Sequence, residues 1–448
     1  MNIKGNKISI LGAVRSGISS AKLAVAKGAI PFVSDMSDNL EIRENLSVLD
    51  ELKIKYELGL HSEKVFDCDF IITSPGVPSN SEVIVKALSK GIKVISEIEF
   101  AYWFCEGNII AISGTNGKTT TTSLCAHLLS SAGINCFSAG NIGIPFSEIV
   151  STMTKADYVA LEVSSFQLDF IDQFRPNYAI MLNITPDHLD RYENRFDHYI
   201  KSKMRITKNQ STGNIFIYNG DDENIPVGYV SDKTNLLAFS IEKGLSKGCY
   251  VDEDWIIYSD NGNEEEVCNV EDLSLKGEHN LMNAMSVISL AMNLGISKEV
   301  ICEALKTFKG VEHRLEFVKE INGIKFINDS KATNVNSVWY ALRSFNDPIY
   351  LILGGKDKGN DYNEIKEEVK KRVKKIYTIG SSSEKVYDFF KTIKPVEIVE
   401  SLDEAINKGL EEGTSGDVFL LSPACASFDM YKNYEDRGNK FKIAVNSL

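Results

Sequence analysis

Short apolar, β-branched runs recur along this chain. Most break at glycine, proline or a hydroxyl residue before a stretch with apolar positions three or four apart. That alternation predicts strand–loop–helix units and largely parallel sheets, the α/β class. In the first hundred or so residues, 7–11 reads as a strand, 12–17 as a glycine-bearing loop, and the next stretch as a helix through Ala26. Strands follow at 30–33, ending in Ser34-Asp35; at 70–73, ending in Ser74-Pro75-Gly76-Val77-Pro78; and at 93–96, before a short helix over 97–104. This opening is Rossmann-like. Its glycine fingerprint is incomplete, because position 14 is Val, and that weakens a dinucleotide reading.

A new block begins at 108. Residues 109–113 form a buried-strand pattern, 114–117 a glycine loop, and the stretch to Ala132 a helix with Leu124, Leu128 and Leu129 on one face and Gly133 as its stop. Further strands are expected at 157–163 and 178–183, with a polar turn at 138–143 between. Residues 214–275 read as short strands and turns, predicting a small antiparallel sheet beside the main one. A long helix opens at Gly277. Strands then alternate with helices again at 324–328, 349–353, 375–379, 396–399 and 418–421. The expected domains are 1–105, Rossmann-like; 106–310, a phosphate-loop ATPase-like mixed sheet; and 311–448, Rossmann-like again.

The bulk numbers agree with several cores: 448 residues, 43% hydrophobic and 25% charged. A net charge of −13 argues against a duplex nucleic acid or an anionic membrane as partner, while leaving room for a local anion pocket. The eight cysteines are scattered with no C-x-x-C pair, so reduced, buried thiols are expected rather than a zinc site or a disulfide framework. No apolar run is long enough to span a bilayer, and a cytoplasmic protein is expected.

The chemistry concentrates at Gly114-Thr115-Asn116-Gly117-Lys118-Thr119-Thr120. A strand, a glycine loop and a helix N-terminus in that order make an anion cradle, because backbone N–H groups and the helix dipole both face the ligand. Lys118 adds a charge for β/γ-phosphates and Thr119 a hydroxyl for magnesium. The spacing is shorter than the usual phosphate loop, with Ile112 where the earlier glycine would stand. An ordinary glycine turn with a chance Lys-Thr is the competing reading, and the flanking strand and helix favour the cradle.

Glu162, near a strand end, is a candidate magnesium carboxylate or else a surface pair. His188, bracketed by Asp187 and Asp190 after another strand, is a metal ligand or a structural histidine. Lys201, Lys203 and Arg205 read by themselves as a solvated basic face. Asn280 and Asn283, three apart on a helix, can frame an adenine, with Asn280 as a plain N-cap the alternative. Asp35 can accept from a ribose or a base edge, or be a solvated acid. The third block's strand-end loops, at 329–334, 354–358, 380–383 and 422–429, hold lysines, hydroxyls and an acid suited to an anionic amino acid.

The shortened loop resembles that of the Mur ligases and the related folylpolyglutamate synthetases. The runs 161–168, 183–192, His313-Arg314, 328–334 and 421–429 resemble, in order along the whole chain, those of the Mur ligases that add D-glutamate to UDP-N-acetylmuramoyl-L-alanine. The resemblance implies an ATP-dependent amide ligase of peptidoglycan precursor synthesis, working through an acyl phosphate. It implies ATP phosphates on the 114–120 loop, and one magnesium on Thr119 and Glu162 with Asn141 nearby. It also implies a second magnesium on His188 and a carbamylated lysine, which falls on Lys203. The nucleotide would meet Asn280, Asn283, Arg314, Asp329 and Lys331. D-Glutamate would meet Thr333, Lys358, Ser427, Phe428 and Tyr434, and the uridine nucleotide Ser16, Asp35 and Gly76. Met36-Ser37 departs from the Thr-Arg of some relatives and leaves Arg15 as a stand-in phosphate contact. A monomer acting on small molecules, without nucleic acid or membrane, is expected. Rival readings are a ligase for another amino acid, a folate-type glutamate ligase, a phosphate-loop NTPase acting on a partner, and a Rossmann oxidoreductase.

Overall fold

The computed structural model describes residues 1–141 and 143–448. They form two compact units, 1–273 with 282–308, and 274–281 with 309–448.

The first unit holds two sheets. Strands β1 (Lys7–Leu11), β2 (Ile30–Asp35), β3 (Lys55–Leu58), β4 (Phe70–Thr73) and β5 (Lys93–Ser96) make a wholly parallel sheet in the order β3-β2-β1-β4-β5. The sequence pattern did not reveal β3. It is an edge strand, Lys-Tyr-Glu-Leu, with no residue fully buried, so it lacks the apolar run that marks its neighbours. Strand β2 runs two residues further than the pattern implied, to Asp35.

The second sheet contains β6 (Asn108–Ser113), β7 (Cys136–Gly140), β8 (Tyr158–Glu162), β9 (Tyr178–Met181), β10 (Ile215–Asn219), β11 (Asn235–Ser240), β12 (Lys247–Asp252), β13 (Trp255–Asp260) and β14 (Asn263–Asn269). Their order is β14-β13-β12-β11-β10-β9-β6-β8-β7. Two expectations are corrected here. The polar turn at 138–143 begins inside β7, whose Cys-Phe-Ser-Ala-Gly is too small and polar to read as a strand but pairs along β8; Ile142 of that turn lies outside the described residues. The 214–275 stretch is no separate sheet. Strands β10, β11 and β12 continue the main sheet in parallel, and only β13 and β14 turn antiparallel. Strand β6 lies inside the sheet between β8 and β9, so its C-terminal loop opens among theirs.

The short helix Glu97–Tyr102 is buried and carries two glutamates inward. The Glu99 carboxylate, 0% exposed, accepts the backbone amides of Asp172, Gln173 and Phe174 at 2.7–3.1 Å and the Trp103 indole N–H at 2.8 Å. It therefore ties the end of the first sheet's chain to the loop before β9. Glu99→Ala would leave these donors buried without an acceptor, at about 1–3 kcal/mol each. We expect a loss of at least about 3 kcal/mol in urea unfolding; a loss under about 1 kcal/mol would show that water takes the carboxylate's place.

The second unit has one six-stranded sheet, β15 (Glu316–Ile321), β16 (Ile324–Asn328), β17 (Ile349–Leu353), β18 (Val373–Thr378), β19 (Val396–Ile398) and β20 (Val418–Leu421), ordered β15-β16-β20-β17-β18-β19. All pairs are parallel except β15–β16. Strand β15 is a half-exposed hairpin partner, and its mixed Glu-Phe-Val-Lys-Glu-Ile hid it in the sequence.

Candidate active site

The glycine loop leaves β6 and enters the helix Lys118–Ser131 through Gly117, whose φ of +84° is a left-handed conformation. A Cβ there would lie 2.4 Å from Asn283 Oδ1, so glycine is needed sterically as well. The loop is braced by the segment after β9. Asn183 accepts the amide of Thr115 on its carbonyl and the amide of Asn116 on its side chain, both at 2.9 Å. The Thr115 hydroxyl donates to Thr185 O and accepts its amide, both at 3.0 Å. These two loop amides therefore hold the loop in shape, and an anion would be cradled by the first turn of the helix.

Lysine charge converges on the loop. Lys118 Nζ donates to Gly114 O and Thr115 O, each at 2.8 Å, and Lys203 Nζ donates to the same Gly114 O at 2.7 Å. Lys203 comes from the helix Phe196–Met204 and is 2% exposed, while Lys201 is on the surface. The solvated basic face expected from the residues alone is thus corrected at Lys203, which points inward over the Tyr199 ring. Burial, and next the Lys118 ammonium, pull the Lys203 amine well below the usual lysine range.

Opposite the lysines, β8 ends in Glu162, 2% exposed. Its carboxylate accepts Thr119 Oγ1 at 2.7 Å and Asn141 Nδ2 at 3.3 Å. Gly140, φ +120°, makes this possible: a Cβ there would sit 2.2 Å from Glu162 O, to which the Asn141 amide donates at 2.9 Å. His188 stands close by, left-handed at φ +51°, its amide bonded to Asp187 Oδ1 at 2.9 Å and its ring edge-on to Phe166. Lys118, Thr119, Glu162 and Lys203 are thus brought together, with Asn141 and Asp187 beside them and His188 on the rim. Thr119 and Glu162 offer hard oxygens in the pairing that suits magnesium.

Beside this cluster a cavity of about 870 Å³ opens at the C-terminal edge of the first sheet. Ser16, Asp35, Gly76 and Asn141 all line it, as do Arg15, Met36 and Ser37. Asp35 is partly engaged, accepting the amides of Ala13 at 2.7 Å and Ser37 at 2.8 Å. Arg191, which sequence reading passed over, donates to the carbonyls of Pro75 and Gly76 at 3.3 Å and stacks on Phe166. It links the cavity loop to the His188 segment.

In the second unit the strand-end loops gather as expected. The 354–358 loop pairs with the 422–429 loop through Lys356 and Ala426. That places exposed Lys358 and Phe428 and buried Ser427 on neighbouring loops. Ser330 Oγ donates to Tyr434 O at 2.8 Å, and Lys331 Nζ lies 5.5 Å from the Tyr434 ring centre; Thr333 follows on the same loop. Asp329 is buried and accepts Ser422 Oγ at 2.8 Å; burial pushes its carboxyl up to about 6, against the pull of Arg314. Arg314 Nε is a buried donor with no hydrogen-bond partner among the described residues. Asn280 lies inside the helix Glu278–Asn293 rather than at its cap and donates to Lys276 O at 2.9 Å. Arg437, also missed in the sequence, is buried and donates to Ser330 and Cys425, fixing the two loops to each other. Its signal is slight, a lone arginine in an otherwise ordinary helix.

The sequence was compared with known proteins. Residues 7–83 match the MurD N-terminal domain, 112–291 the Mur ligase middle domain, and 313–425 the Mur ligase glutamate ligase domain. A relative from Christiangramia forsetii, named UDP-N-acetylmuramoylalanine–D-glutamate ligase, is 44% identical, covering 99% of this chain and 100% of its own. The chain belongs to the Mur ligase family. A relative of the same name from Bacteroides fragilis is 43% identical over 99% of this chain and 100% of its own. Among solved structures, the UDP-N-acetylmuramate–alanine ligase MurC of Thermotoga maritima superposes with a TM-score of 0.63 at 22% identity, covering 99% of both chains. MurF of the same organism, in complex with ADP, gives 0.60 at 16% identity, covering 93% of this Mur ligase and 95% of its own chain. These two share the fold.

Proposed function

We propose that this Mur ligase joins D-glutamate to UDP-N-acetylmuramoyl-L-alanine at the expense of ATP, as a step of peptidoglycan precursor synthesis. The cluster of Lys118, Thr119, Glu162 and Lys203 around Gly114 carries the ATP half of this reading. The full-length relatives of that name supply the substrates.

A carboxylate resists amine attack because its charge and resonance oppose it. ATP removes that obstacle by phosphorylating the alanyl carboxylate to an acyl phosphate. The D-glutamate amine then attacks, and phosphate leaves from the tetrahedral intermediate. The chain's part is to hold three anionic molecules in line and offset their repulsion. The first turn after Gly117 would cradle the β- and γ-phosphates, and Lys118 would turn from its loop carbonyls to the γ-phosphate. Asn280, Asn283, Arg314, Asp329 and Lys331 are assigned to the nucleotide; the unpartnered Arg314 Nε supports its share in that role. The cavity at Ser16, Asp35 and Gly76 takes the uridine nucleotide, with Arg15 as its cation and Asn141 between cavity and cluster.

Thr119 and Glu162 would hold one magnesium ion, and His188 with a carbamate on Lys203 a second. An ammonium at Lys203 would repel a cation, so the donor set fits a second ion only after the amine has taken up CO2. Magnesium there supplies charge neutralisation on the transferring phosphoryl group. Domain limits of 1–105, 106–310 and 311–448 assign uridine nucleotide, ATP and D-glutamate in turn. In this reading the enzyme acts as a monomer. Among the described residues no helix is long and apolar enough to cross a membrane, in keeping with a cytoplasmic enzyme.

Phosphate release with each substrate omitted in turn tests the reading. Release is expected only with ATP, the uridine nucleotide and D-glutamate together; release from ATP alone would favour an NTPase, and release with another amino acid a different ligase. Lys358, exposed on the 354–358 loop, would meet the D-glutamate carboxylate in this reading. Lys358→Ala is expected to raise KM for D-glutamate about tenfold or more, the scale of one charge-assisted hydrogen bond, and to leave KM for ATP within about twofold. Equal effects on both constants would remove Lys358 from that pocket.

A further inference from the structure

Away from the site described above, two thiols lie side by side at the antiparallel edge of the central sheet. Cys268 belongs to β14 and Cys302 to the helix Lys298–Thr307, and their sulfurs are 2.6 Å apart. Non-bonded heavy atoms ordinarily rest at about 3.5–4.0 Å. Cys268 is 1% exposed, whereas Cys302 is half-buried and open to a small solute. Asp272 stands within the same cluster, and Lys306, one turn along the helix from Cys302, pairs with it at 3.1 Å. Among the described residues no second pair of cysteine sulfurs is in such contact.

We propose that Cys268 and Cys302 are an oxidisable pair, which a hydroperoxide closes into a disulfide between β14 and the Lys298–Thr307 helix. Cys302 is the attacking thiol, because it is the more open of the two to a small solute. Burial pushes the Cys268 thiol up and leaves the first attack to Cys302, while its sulfur, against that of Cys302, is in position for the second step. The Cys302 thiolate attacks one peroxide oxygen, the O–O bond breaks, and the departing hydroxide takes a proton to become water. Cys302 is left as a sulfenic acid. Cys268 then attacks that sulfur; the S–S bond forms, and the sulfenic oxygen leaves as water with the Cys268 proton. Two thiols give up two electrons and one hydroperoxide is reduced.

A soft metal ion would use the same three side chains, but the geometry disfavours it. Two thiolates on one tetrahedral ion stand about 3.8 Å apart, from bonds near 2.3 Å, and Asp272 already has Lys306 as a partner. The staple also has a structural consequence. The Lys298–Thr307 helix rests on the phosphate-loop helix, where His127 Nε2 meets Ala304 O at 3.1 Å and Thr307 Oγ1 at 3.3 Å. A disulfide would hold that supporting helix to the sheet edge and damp its opening.

The test treats the full-length chain with hydrogen peroxide, then denatures, alkylates and maps the peptides. Two of the eight thiols are expected to escape alkylation, with a 268–302 cross-linked peptide that dithiothreitol releases. Amide exchange across 298–307 is expected to slow in the oxidised form. Cys302→Ser should abolish the cross-link. Cys268→Ser should leave Cys302 to proceed to sulfenic and sulfinic acids, and a failure of that variant to fold leaves the wild-type and Cys302→Ser arms decisive. All eight thiols still reactive after peroxide, or a cross-link between other cysteines, would overturn the proposal. So would protection of both thiols by zinc alone with no cross-link under peroxide, which would make the cluster a metal site.

Discussion

Lys118→Ala is expected to reduce ATP-dependent phosphate release by at least about a thousandfold, with the fold intact by circular dichroism. Lys118 Nζ rests on the carbonyls of Gly114 and Thr115, at the mouth of the helix N-terminus. A triphosphate entering that mouth offers oxygens of far higher charge density than two neutral carbonyls, so the ammonium should transfer to it. One preorganised donor facing developing charge is worth about 10²–10³ in rate. Lys118 also offsets repulsion between the γ-phosphate and the incoming carboxylate, a ground-state term that adds to the first. The variant loses a side-chain bond to the loop as well, but Asn183 and Thr185 still brace the loop through Thr115 and Asn116. The loss should therefore appear in kcat more than in stability. Near-normal phosphate release by Lys118→Ala would remove the phosphate-loop premise.

The same loop shows what the sequence made legible. A β-branched run, two glycines and an amphipathic stretch are strong local signals, and β6, the loop and the Lys118–Ser131 helix lie where those signals put them. The carboxylate at the end of β8 was readable for a similar reason: a buried strand that ends in an acid is an unusual string. Three of the edge strands were not readable. Strands β3, β7 and β15 each have one open side, so their residues are mixed, small or alternating, and nothing local separates them from turns. The extension of the central sheet through β10 to β14 was misjudged because parallel or antiparallel pairing depends on partners far along the chain.

Side-chain burial was the other limit. Lys201 and Lys203 sit two apart on one short helix, and composition gives no reason to send one to solvent and the other to Gly114. That choice is made by the helix's placement against the loop. Asn183, Arg191 and Arg437 belong to the same class. Each works by holding backbone of another segment, a role that leaves no motif. The cavity was reached through residues at strand ends. Ser16, Asp35 and Gly76 stand at or after the ends of β1, β2 and β4, which one parallel sheet puts on the same edge, whereas Asn141 comes from the end of β7 in the other sheet.

Lys203→Ala is expected to lose at least about a hundredfold in turnover and to regain part of it in millimolar formate, acetate or propionate. A lysine 2% exposed has its amine pulled well below the usual lysine range, first by burial and next by the Lys118 cation, which favours the neutral amine over the ammonium. A neutral amine is a nucleophile toward CO2: its nitrogen bonds to carbon and loses a proton, leaving a carbamate whose single negative charge is shared by two oxygens. Glu162 and Asp187 act on Lys203 through their charge, so a carbamate there would add a third anionic group that a magnesium ion would offset. The change gives a side chain that holds no oxygen for magnesium a charged group that binds it, and metal neutralisation of a phosphoryl group is worth several kcal/mol. In Lys203→Ala a small carboxylate can occupy the vacated space and restore the oxygens without the tether, so rescue should saturate with carboxylate concentration and fall with its size. Stripping CO2 and bicarbonate from the buffer should slow the wild-type enzyme and leave the formate-rescued variant unchanged. A variant that stays folded, binds ATP and gains nothing from any carboxylate would show that Lys203 serves as an ammonium on Gly114 O, and the second magnesium would lose its ligand.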